Sequence, residues 1–454
     1  MNDVPLPMPV DGMETFQSQP SLVAWLVAPL DPTPGSRLPP LRYWTLAREL
    51  AARGHRVVWW TPSVEDGSLE QRDGPTSLEG LESFELRTIQ VPAYRGRFSR
   101  RRFASHRAFA TRFEDEAMAA IAGGTLDRPD VVIASLPPLE SAESASRLSR
   151  KLDTTIVIDL TENWPDRELA SVGNSWIRRF VYACAAATFK GITVESLRRR
   201  RGLLVDAADA VVATSAAVAE VSTGRADVKI FPVGAFPQEF VLRKRDLSEG
   251  GTASNSGEDI VVDSPRNPSI SIVVPADCLT DAEMDCLADA SRQLSRENLQ
   301  ACFQIVGSNA ARRHLERAAG MQLGNACRMT PVRICGRHEW LSIVGSADAA
   351  IVFGPVHEPF AITVETCECL AAGLPVICAA DEAGGQLADL VERHGGGVCF
   401  QRGDHRSLAD AIRRLARETA RRSSAAVTAR RLAEREFDRE RICSAYADWL
   451  ESLA

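Results

Sequence analysis

The sequence has no cysteine pair in CxxC spacing, no apolar run long enough to cross a membrane and no strong excess of charge. Its 11 cysteines are scattered along the chain, so we expect reduced, buried thiols in a cytoplasmic protein and no disulfide framework. The longest apolar run, residues 180–189, is about half of the roughly 18 residues that a membrane span needs. The net charge of −7 argues against a general binder of polyanions, so no nucleic-acid partner is expected.

The first 20 residues contain three acidic side chains and lack both a basic start and an apolar core. These features argue against a signal peptide. We therefore expect residues 1–20 to be disordered.

Short apolar runs alternate with helical patterns along most of the chain. With 454 residues, 45% of them hydrophobic and 25% charged, the chain is too long for one ordinary core. Apolar runs of this kind are typical of strands in parallel sheets, which are buried on both faces. The predicted strands are SLVAWLVAPL (21–30), RVVWWT (56–61), DVVIAS (130–135), TIVIDL (155–160), DAVVAT (209–214), SISIVV (269–274), CFQIVG (302–307), VRIC (332–335), DAAIVF (348–353) and PVICAA (375–380).

The alternation is interrupted over residues 245–268, which are rich in Gly, Ser, Asp, Asn and Pro and indicate a flexible linker. We predict an α/β protein with two Rossmann-like, doubly wound domains, the first over residues 21–244 and the second over 269–430. Residues 431–454 are predicted to form a closing helix that packs back toward the first domain. Ligands are expected at the carboxyl ends of the strands and between the domains.

Three glutamates lie among apolar residues in HEPFAITVETCECLAAGLPV, residues 357–376. A carboxylate that is neither solvated nor paired is costly to bury, so Glu358, Glu365 and Glu368 need water, cations or hydroxyl donors. A helix starting near Glu365 would direct free N–H groups to a phosphate, and carboxylates beside it suit sugar hydroxyls. The alternative is that Glu365 and Glu368 simply favour the first turn of a helix.

The segment EPFAITV...ECLAAGLPV resembles the donor-site motif of family 4 retaining glycosyltransferases, which have the GT-B fold. The segments LARELAARGHRVVWWT, IDLTENWPDREL, DAADAVVATSAAVAE, FQIVGSNAARRHLERA, VRICGRHEWLSIVGSADAAIVF and EREFDRERICSAYADWLESLA resemble other parts of such enzymes in the same order. The resemblance implies that Glu358 contacts the donor sugar and that a later glutamate binds the nucleotide ribose. Counting back from Gly373 favours Glu368 over Glu365 for the ribose, with two extra residues in the preceding loop.

The resemblance also implies further site residues. A second catalytic candidate beside Glu358 is Glu162, which could orient an acceptor hydroxyl or be structural. In the first domain, Gly35 would let the backbone approach a ligand, and Arg37 or Arg42 could bind an anionic acceptor; Arg42 could equally be an ordinary surface residue of its helix. The predicted donor site consists of His357, Phe360, Ala361, Ile362, Thr363, Glu365, Glu368, Gly307, Arg337, Gly384 and Gly385, and the predicted acceptor site of Gly35, Ser36, Arg37 and Arg42.

One segment departs from the family pattern. The family places an Arg and a Lys after the first strand of the second domain, where they neutralise the departing diphosphate. Residues 267–291 contain neither, and Asp277 and Glu283 lie near the expected positions. Either a helix dipole and another cation replace the pair, or the reaction is impaired.

The sequence therefore predicts a retaining glycosyltransferase that moves a hexose-type sugar from a nucleotide-diphosphate-sugar to a glycan, lipid-linked or small-molecule acceptor. No cofactor or metal is expected, since no metal-ligand spacing occurs. The first alternative is a catalytically degenerate GT-B protein that binds a partner or nucleotide sugar without turnover. The second, a sugar-nucleotide epimerase, agrees less well with the acceptor-type loop near Gly35.

Two arginine-rich clusters stand out, residues 94–107 and 196–201. The cluster from Arg95 to Arg107 has Phe98 and Phe103 beside its arginines, a composition that suits peripheral contact with an anionic membrane at the inner face. The alternative is a solvated run of charge.

Overall fold

The computed structural model describes residues 21–34, 41–65, 82–94, 99–166, 194–221, 225, 227–240, 269–277, 279–308, 311–334, 336–354, 362–380 and 386–453. The predicted terminal segment 1–20 and linker 245–268 lie outside these residues. Within them, the chain forms two parallel sheets covered by helices.

The first sheet has seven strands in the order β3-β2-β1-β4-β5-β6-β7, all parallel. The strands are β1 (Val23–Val27), β2 (Arg56–Pro62), β3 (Phe84–Ile89), β4 (Val131–Leu136), β5 (Thr155–Leu160), β6 (Ala210–Ala213) and β7 (Lys229–Ile230). The described helices of this half are α1 (Arg42–Ala52), α2 (Arg100–Ala122), α3 (Leu139–Leu152), α4 (Val194–Asp206) and α5 (Ala216–Val221).

The strands β1, β2, β4, β5 and β6 are buried on both faces, which explains why they are apolar without alternation. In β1, Trp25 and Val27 belong to the core shared with α2 and α3, whereas Ala24 and Leu26 belong to the core shared with α1. Helix α1 packs on the sheet through one apolar side, since Leu46, Leu50 and Ala51 are all buried.

The second sheet has six parallel strands in the order β10-β9-β8-β11-β12-β13. The strands are β8 (Ser269–Pro275), β9 (Gln300–Gly307), β10 (Cys327–Arg333), β11 (Ala349–Val352), β12 (Val376–Ala380) and β13 (Gly397–Gln401). The helices are α6 (Asp281–Arg296), α7 (Arg312–Ala319), α8 (Arg337–Ser346), α9 (Val364–Ala371), α10 (Gln386–His394), α11 (His405–Arg417), α12 (Thr419–Glu436) and α13 (Arg439–Glu451).

These two sheets confirm the predicted pair of doubly wound domains. The strand predicted over residues 332–335 begins earlier, as β10, because the half-buried CRMTPVR segment pairs along β9. The strands β3, β7 and β13 were not predicted: β3 and β13 alternate in burial, and β7 has only two residues.

Helix α13 crosses back to the first half of the chain. Its Cys443 and Tyr446 are buried in the core shared with α1, and the Tyr446 ring stacks on Phe231 with ring centroids 4.5 Å apart. The two segments that connect the halves run side by side, because the Ala235 N–H donates to the Phe437 carbonyl and the Arg439 N–H donates to the Ala235 carbonyl, both at 2.8 Å.

Candidate active site

The carboxyl ends of β8, β9 and β11 meet at one edge of the second sheet. Gly307 ends β9 so close to its neighbours that a Cβ there would lie 2.5 Å from the Ala311 Cβ. The next residue, Ser308, donates its hydroxyl to the Asp277 carboxylate at 2.6 Å. A pocket at this edge is lined by Pro275, Asp277, Leu279, Val352, Phe353, Gly354, Thr363 and Glu365.

Helix α9 starts beside this pocket, close to the predicted position. Thr363 is its N-cap, and the Thr363 hydroxyl accepts from the Thr366 N–H at 3.3 Å. Glu365 lies half-buried in the first turn. Gly373 follows the helix with φ of +73°, a left-handed conformation that glycine adopts without strain. The first turn of α9 therefore presents free N–H groups and one carboxylate at this edge.

Glu368 differs sharply from Glu365, although both lie on α9. Its residue exposure is 4%. One carboxylate oxygen accepts from Arg337 Nη1 at 2.5 Å, and the other accepts from the indole Nε1 of Trp340 at 2.6 Å. Burial raises the pKa of Glu368, and the Arg337 guanidinium opposes that rise. The buried carboxylate is thus held in one orientation by two donors from α8.

Arg337 connects Glu368 to residues 236–240, a segment that follows β7. Its second terminal nitrogen, Nη2, donates to Glu239, which lies in a 3-10 turn over Pro237–Glu239. Its Cζ also lies 5.9 Å from the centroid of the Phe240 ring. Sequence reasoning assigned Arg337 to the donor but missed Glu239, since its place in the sequence gives no signal of this contact.

The cation at this edge comes from an element that sequence reasoning did not consider. Arg402, directly after β13, donates to Glu283, the residue near one expected cation position, and to the Phe353 carbonyl at 2.5 Å. Glu283 also completes a capping box with Thr280 at the start of α6. Arg402 thus reaches Glu283 from the end of a strand that is distant in sequence. The spacing of residues within 267–291 could not predict this contact.

The first-domain candidates fall in two different environments. Glu162 follows β5 and is half-buried, as expected for a residue at the carboxyl end of a strand. Arg42 is a correction to one of its interpretations, because it does not lie on the helix surface; its contact with an acceptor stays a prediction. It is 3% exposed, and its Nη2 lies 2.5 Å from both carboxylate oxygens of Asp159, which is itself fully buried. Its Nη1 donates to the Phe231 carbonyl.

His55, which directly precedes β2, accepts from the Leu22 N–H through Nδ1, and its Nε2 lies 2.9 Å from the Glu451 carboxylate. Ile362, the remaining described donor candidate, directly precedes the N-cap of α9 and is half-buried. The other predicted site residues lie outside the described part of the chain, namely Gly35, Ser36, Arg37, His357, Glu358, Phe360, Ala361, Gly384 and Gly385.

The two arginine-rich clusters also differ. At the start of α2, Arg100 and Arg101 are exposed, whereas Arg102 is buried. In the second cluster, Arg198 donates to Asp166 and Arg200 donates to Glu143 at 2.6 Å. The second cluster therefore ties α4 to its own domain.

Among the described residues, no group of three or more His, Cys, Asp or Glu side chains could hold a metal ion. No helix in the same residues is long and apolar enough to cross a membrane.

Comparison with solved structures identifies the architecture. The chain resembles a sucrose-phosphate synthase from Thermosynechococcus elongatus at a TM-score of 0.65 and 16% identity, covering 95% of this chain and 99% of that one. The fold is GT-B. The same GT-B fold occurs in Anabaena Alr3699/HepE in complex with UDP and glucose, at a TM-score of 0.58 and 15% identity, covering 95% and 100% of the chains. It also occurs in the catalytic domain of starch synthase IV from Arabidopsis thaliana bound to ADP and acarbose, at 0.58 and 13%, covering 95% and 99%.

The family model for glycosyl transferases group 1 matches residues 277–418. This stretch begins at the end of β8 and contains every described donor-site candidate. No curated protein matches the chain by sequence. The family match supports glycosyl transfer, and the solved structures show the fold.

Proposed function

We propose that the protein transfers a hexose-type sugar from a nucleotide-diphosphate-sugar to an acceptor bound by the first domain, with retention of the anomeric configuration. In this proposal Glu358 contacts the donor sugar and Glu368 binds the ribose diol. The acceptor is a glycan, a lipid-linked saccharide or a small molecule, and neither a cofactor nor a metal takes part.

The observation that carries the proposal is the environment of Glu368. Arg337 and Trp340 each occupy one oxygen of a nearly buried carboxylate, and each oxygen has a second lone pair that can accept from a hydroxyl. Neighbouring hydroxyls of a ribose match two acceptors fixed in one plane. In this proposal the N–H groups at the start of α9 bind the phosphate, and Glu365, half-buried in the first turn and lining the pocket with Thr363, makes no contact with the ribose.

The position of Arg402 supports a role for this edge of the sheet in sugar transfer as well as in nucleotide binding. Transfer leaves a nucleoside diphosphate, whose developing charge requires cations or oriented dipoles. At the edge of the second sheet, the N-terminal turn of α9 supplies dipoles and Arg402 supplies a guanidinium beside Phe353. In this proposal the N-terminal turn of α9 and Arg402 neutralise the diphosphate in place of the arginine and lysine that residues 267–291 lack.

A second candidate function is supported by the same edge. Asp277 lines the pocket, and Glu283 pairs with Arg402, so carboxylates stand where the resemblance places cations. This excess of negative charge favours a GT-B protein that binds a nucleotide sugar or partner without turnover. Incubation with UDP-, ADP- and GDP-sugars separates the two functions, since only an enzyme releases the nucleoside diphosphate.

The ribose assignment is tested by calorimetric titration of UDP, ADP and GDP and the 2′-deoxy form of the one that binds tightest. We expect Glu368→Gln to cost about 1 to 3 kcal/mol in affinity and to erase discrimination between the ribose and deoxyribose forms. Glu365→Ala is the matched control on the same helix and should cost about 0.3 to 1 kcal/mol. If Glu365→Ala erases discrimination and Glu368→Gln preserves it, the two assignments exchange. If no nucleotide binds the wild-type protein, the proposed function is wrong.

A further inference from the structure

The segment of residues 236–240, which follows β7, is hydrogen-bonded to α9 through two arginines. Arg337 joins Glu239 to Glu368. Arg430, from α12, donates through Nη1 to the Phe240 carbonyl at 3.0 Å and to the Ala371 carbonyl at 2.6 Å. Glu368 in the middle of α9 and Ala371 at its end are therefore both connected to residues 236–240.

The two carboxylates on Arg337 are not equivalent. The Glu368 side chain is 5% exposed and the Glu239 side chain 37% exposed, with the Arg337 side chain between them at 22%. An ion pair that is this open to water contributes little to folding stability. What Glu239 does determine is direction, because Nη2 donates to Glu239 while Nη1 donates to Glu368.

We propose that Glu239 is a positioning residue for nucleotide recognition, an inference that rests on the proposed role of Glu368. With Nη2 held by Glu239, Arg337 binds one oxygen of Glu368 end-on and leaves lone pairs for the ribose diol. Without Glu239, the guanidinium can turn and bind both oxygens of Glu368 side by side, the geometry that arginine and carboxylate favour. That pair takes the second lone pair of the oxygen that Trp340 binds, which is one of the two lone pairs that the ribose diol needs.

The test is Glu239→Gln, which removes the charge and keeps the size of the side chain. Its control is Glu434→Gln, which removes a carboxylate of 48% exposure that pairs with Arg430 on the other side of the same segment. Both variants and the wild type are titrated with UDP and 2′-deoxy-UDP, or with the ADP or GDP pair if that base binds tighter, and their melting temperatures are measured.

We expect Glu239→Gln to weaken binding of the ribonucleotide about three- to tenfold, the range of coupling between neighbours in one network. The ratio of ribose to deoxyribose affinity should fall as well, because Glu368 binds both ribose hydroxyls in this proposal and the 2′-deoxy form has only one of them. The melting temperature should stay the same or rise, since the new arginine–carboxylate pair is more complete. Glu434→Gln should match the wild type in all three measurements.

Two results would overturn the inference while leaving the proposed function intact. One is a wild-type protein that discriminates between the two nucleotides together with a Glu239→Gln variant that discriminates equally well. The other is a variant that melts several degrees lower and loses affinity for both nucleotides alike, which would make Glu239 merely structural. A wild-type protein that binds no nucleotide would instead remove the proposed function, and this inference with it.

Discussion

The buried pair of Arg42 and Asp159 provides the sharpest test of how the first domain is held together. Asp159 lies at 0% exposure on β5, and the Arg42 side chain is 4% exposed at the start of α1. Burial lowers the pKa of Arg42, but Asp159 together with Tyr446, Tyr43 and Cys443 outweighs burial, so the pKa lies above its usual value. Replacing Asp159 by Ala would therefore leave a charged, buried guanidinium that has lost its carboxylate and still donates to the Phe231 carbonyl.

Breaking a buried pair from one side costs about 3 to 5 kcal/mol, because the surviving charge stays desolvated. For a domain of about 200 residues each kcal/mol shifts the melting temperature by about 2 to 4 °C, so Asp159→Ala should lower it by about 6 to 20 °C. The matched control is Asp127→Ala, since Asp127 and Arg56 form a pair whose side chains are 62% and 41% exposed. Exposed pairs contribute about 0 to 1 kcal/mol, so this shift should be at most about 4 °C.

Differential scanning calorimetry measures both variants, and the double variant Arg42→Met with Asp159→Leu completes the experiment. Removing both charges and filling the space with apolar side chains should restore most of the lost stability. The reasoning is refuted if Asp159→Ala melts no lower than Asp127→Ala. It is also refuted if the double variant is as unstable as the sum of its single changes, since the two residues would then act independently.

Three other predictions concern the donor loop, the basic cluster and pH. Glu358→Gln should abolish most sugar transfer while circular dichroism shows an intact fold; an unfolded variant or an unchanged rate contradicts the donor assignment. Replacing the exposed Arg100 and Arg101 by Ala should weaken sedimentation with anionic liposomes and reduce its salt sensitivity, at about 1 kcal/mol per arginine, and equal sedimentation would leave them an ordinary solvated face. Burial, together with the Asp159 carboxylate, raises the pKa of Asp31 from 3.8 to about 7 against the opposing Arg42. The folded state therefore binds that proton more tightly than the unfolded state does. The stability of the wild type relative to Asp31→Asn should be greatest below pH 4 and be lost as the pH rises to about 7. A difference in melting temperature that stays constant over this range would contradict the prediction.

Much of the architecture could be predicted because local sequence encodes it. In β1, consecutive apolar residues can be buried only if both faces of the sheet are covered, and that requirement alone indicates a parallel sheet between helices. The start of α9 near Glu365 was predictable, since a first-turn acid and a glycine that ends a helix, here Gly373, act within a few residues. The amphipathic strand β3 and the two-residue β7 lacked that signal.

The pairing of charged side chains was decided by the tertiary structure. The sequence by itself determined that Glu368 would lie on a buried helix and would need polar partners, because burial of an unpaired carboxylate is costly whatever the fold. Which partners it has depended on α8, 31 residues away along the chain. In the same way Arg42 reaches Asp159 across 117 residues and Arg402 reaches Glu283 across 119. Long side chains find their counter-charges only where strand order and helix packing bring distant segments within about 4 Å, a distance that no local pattern records.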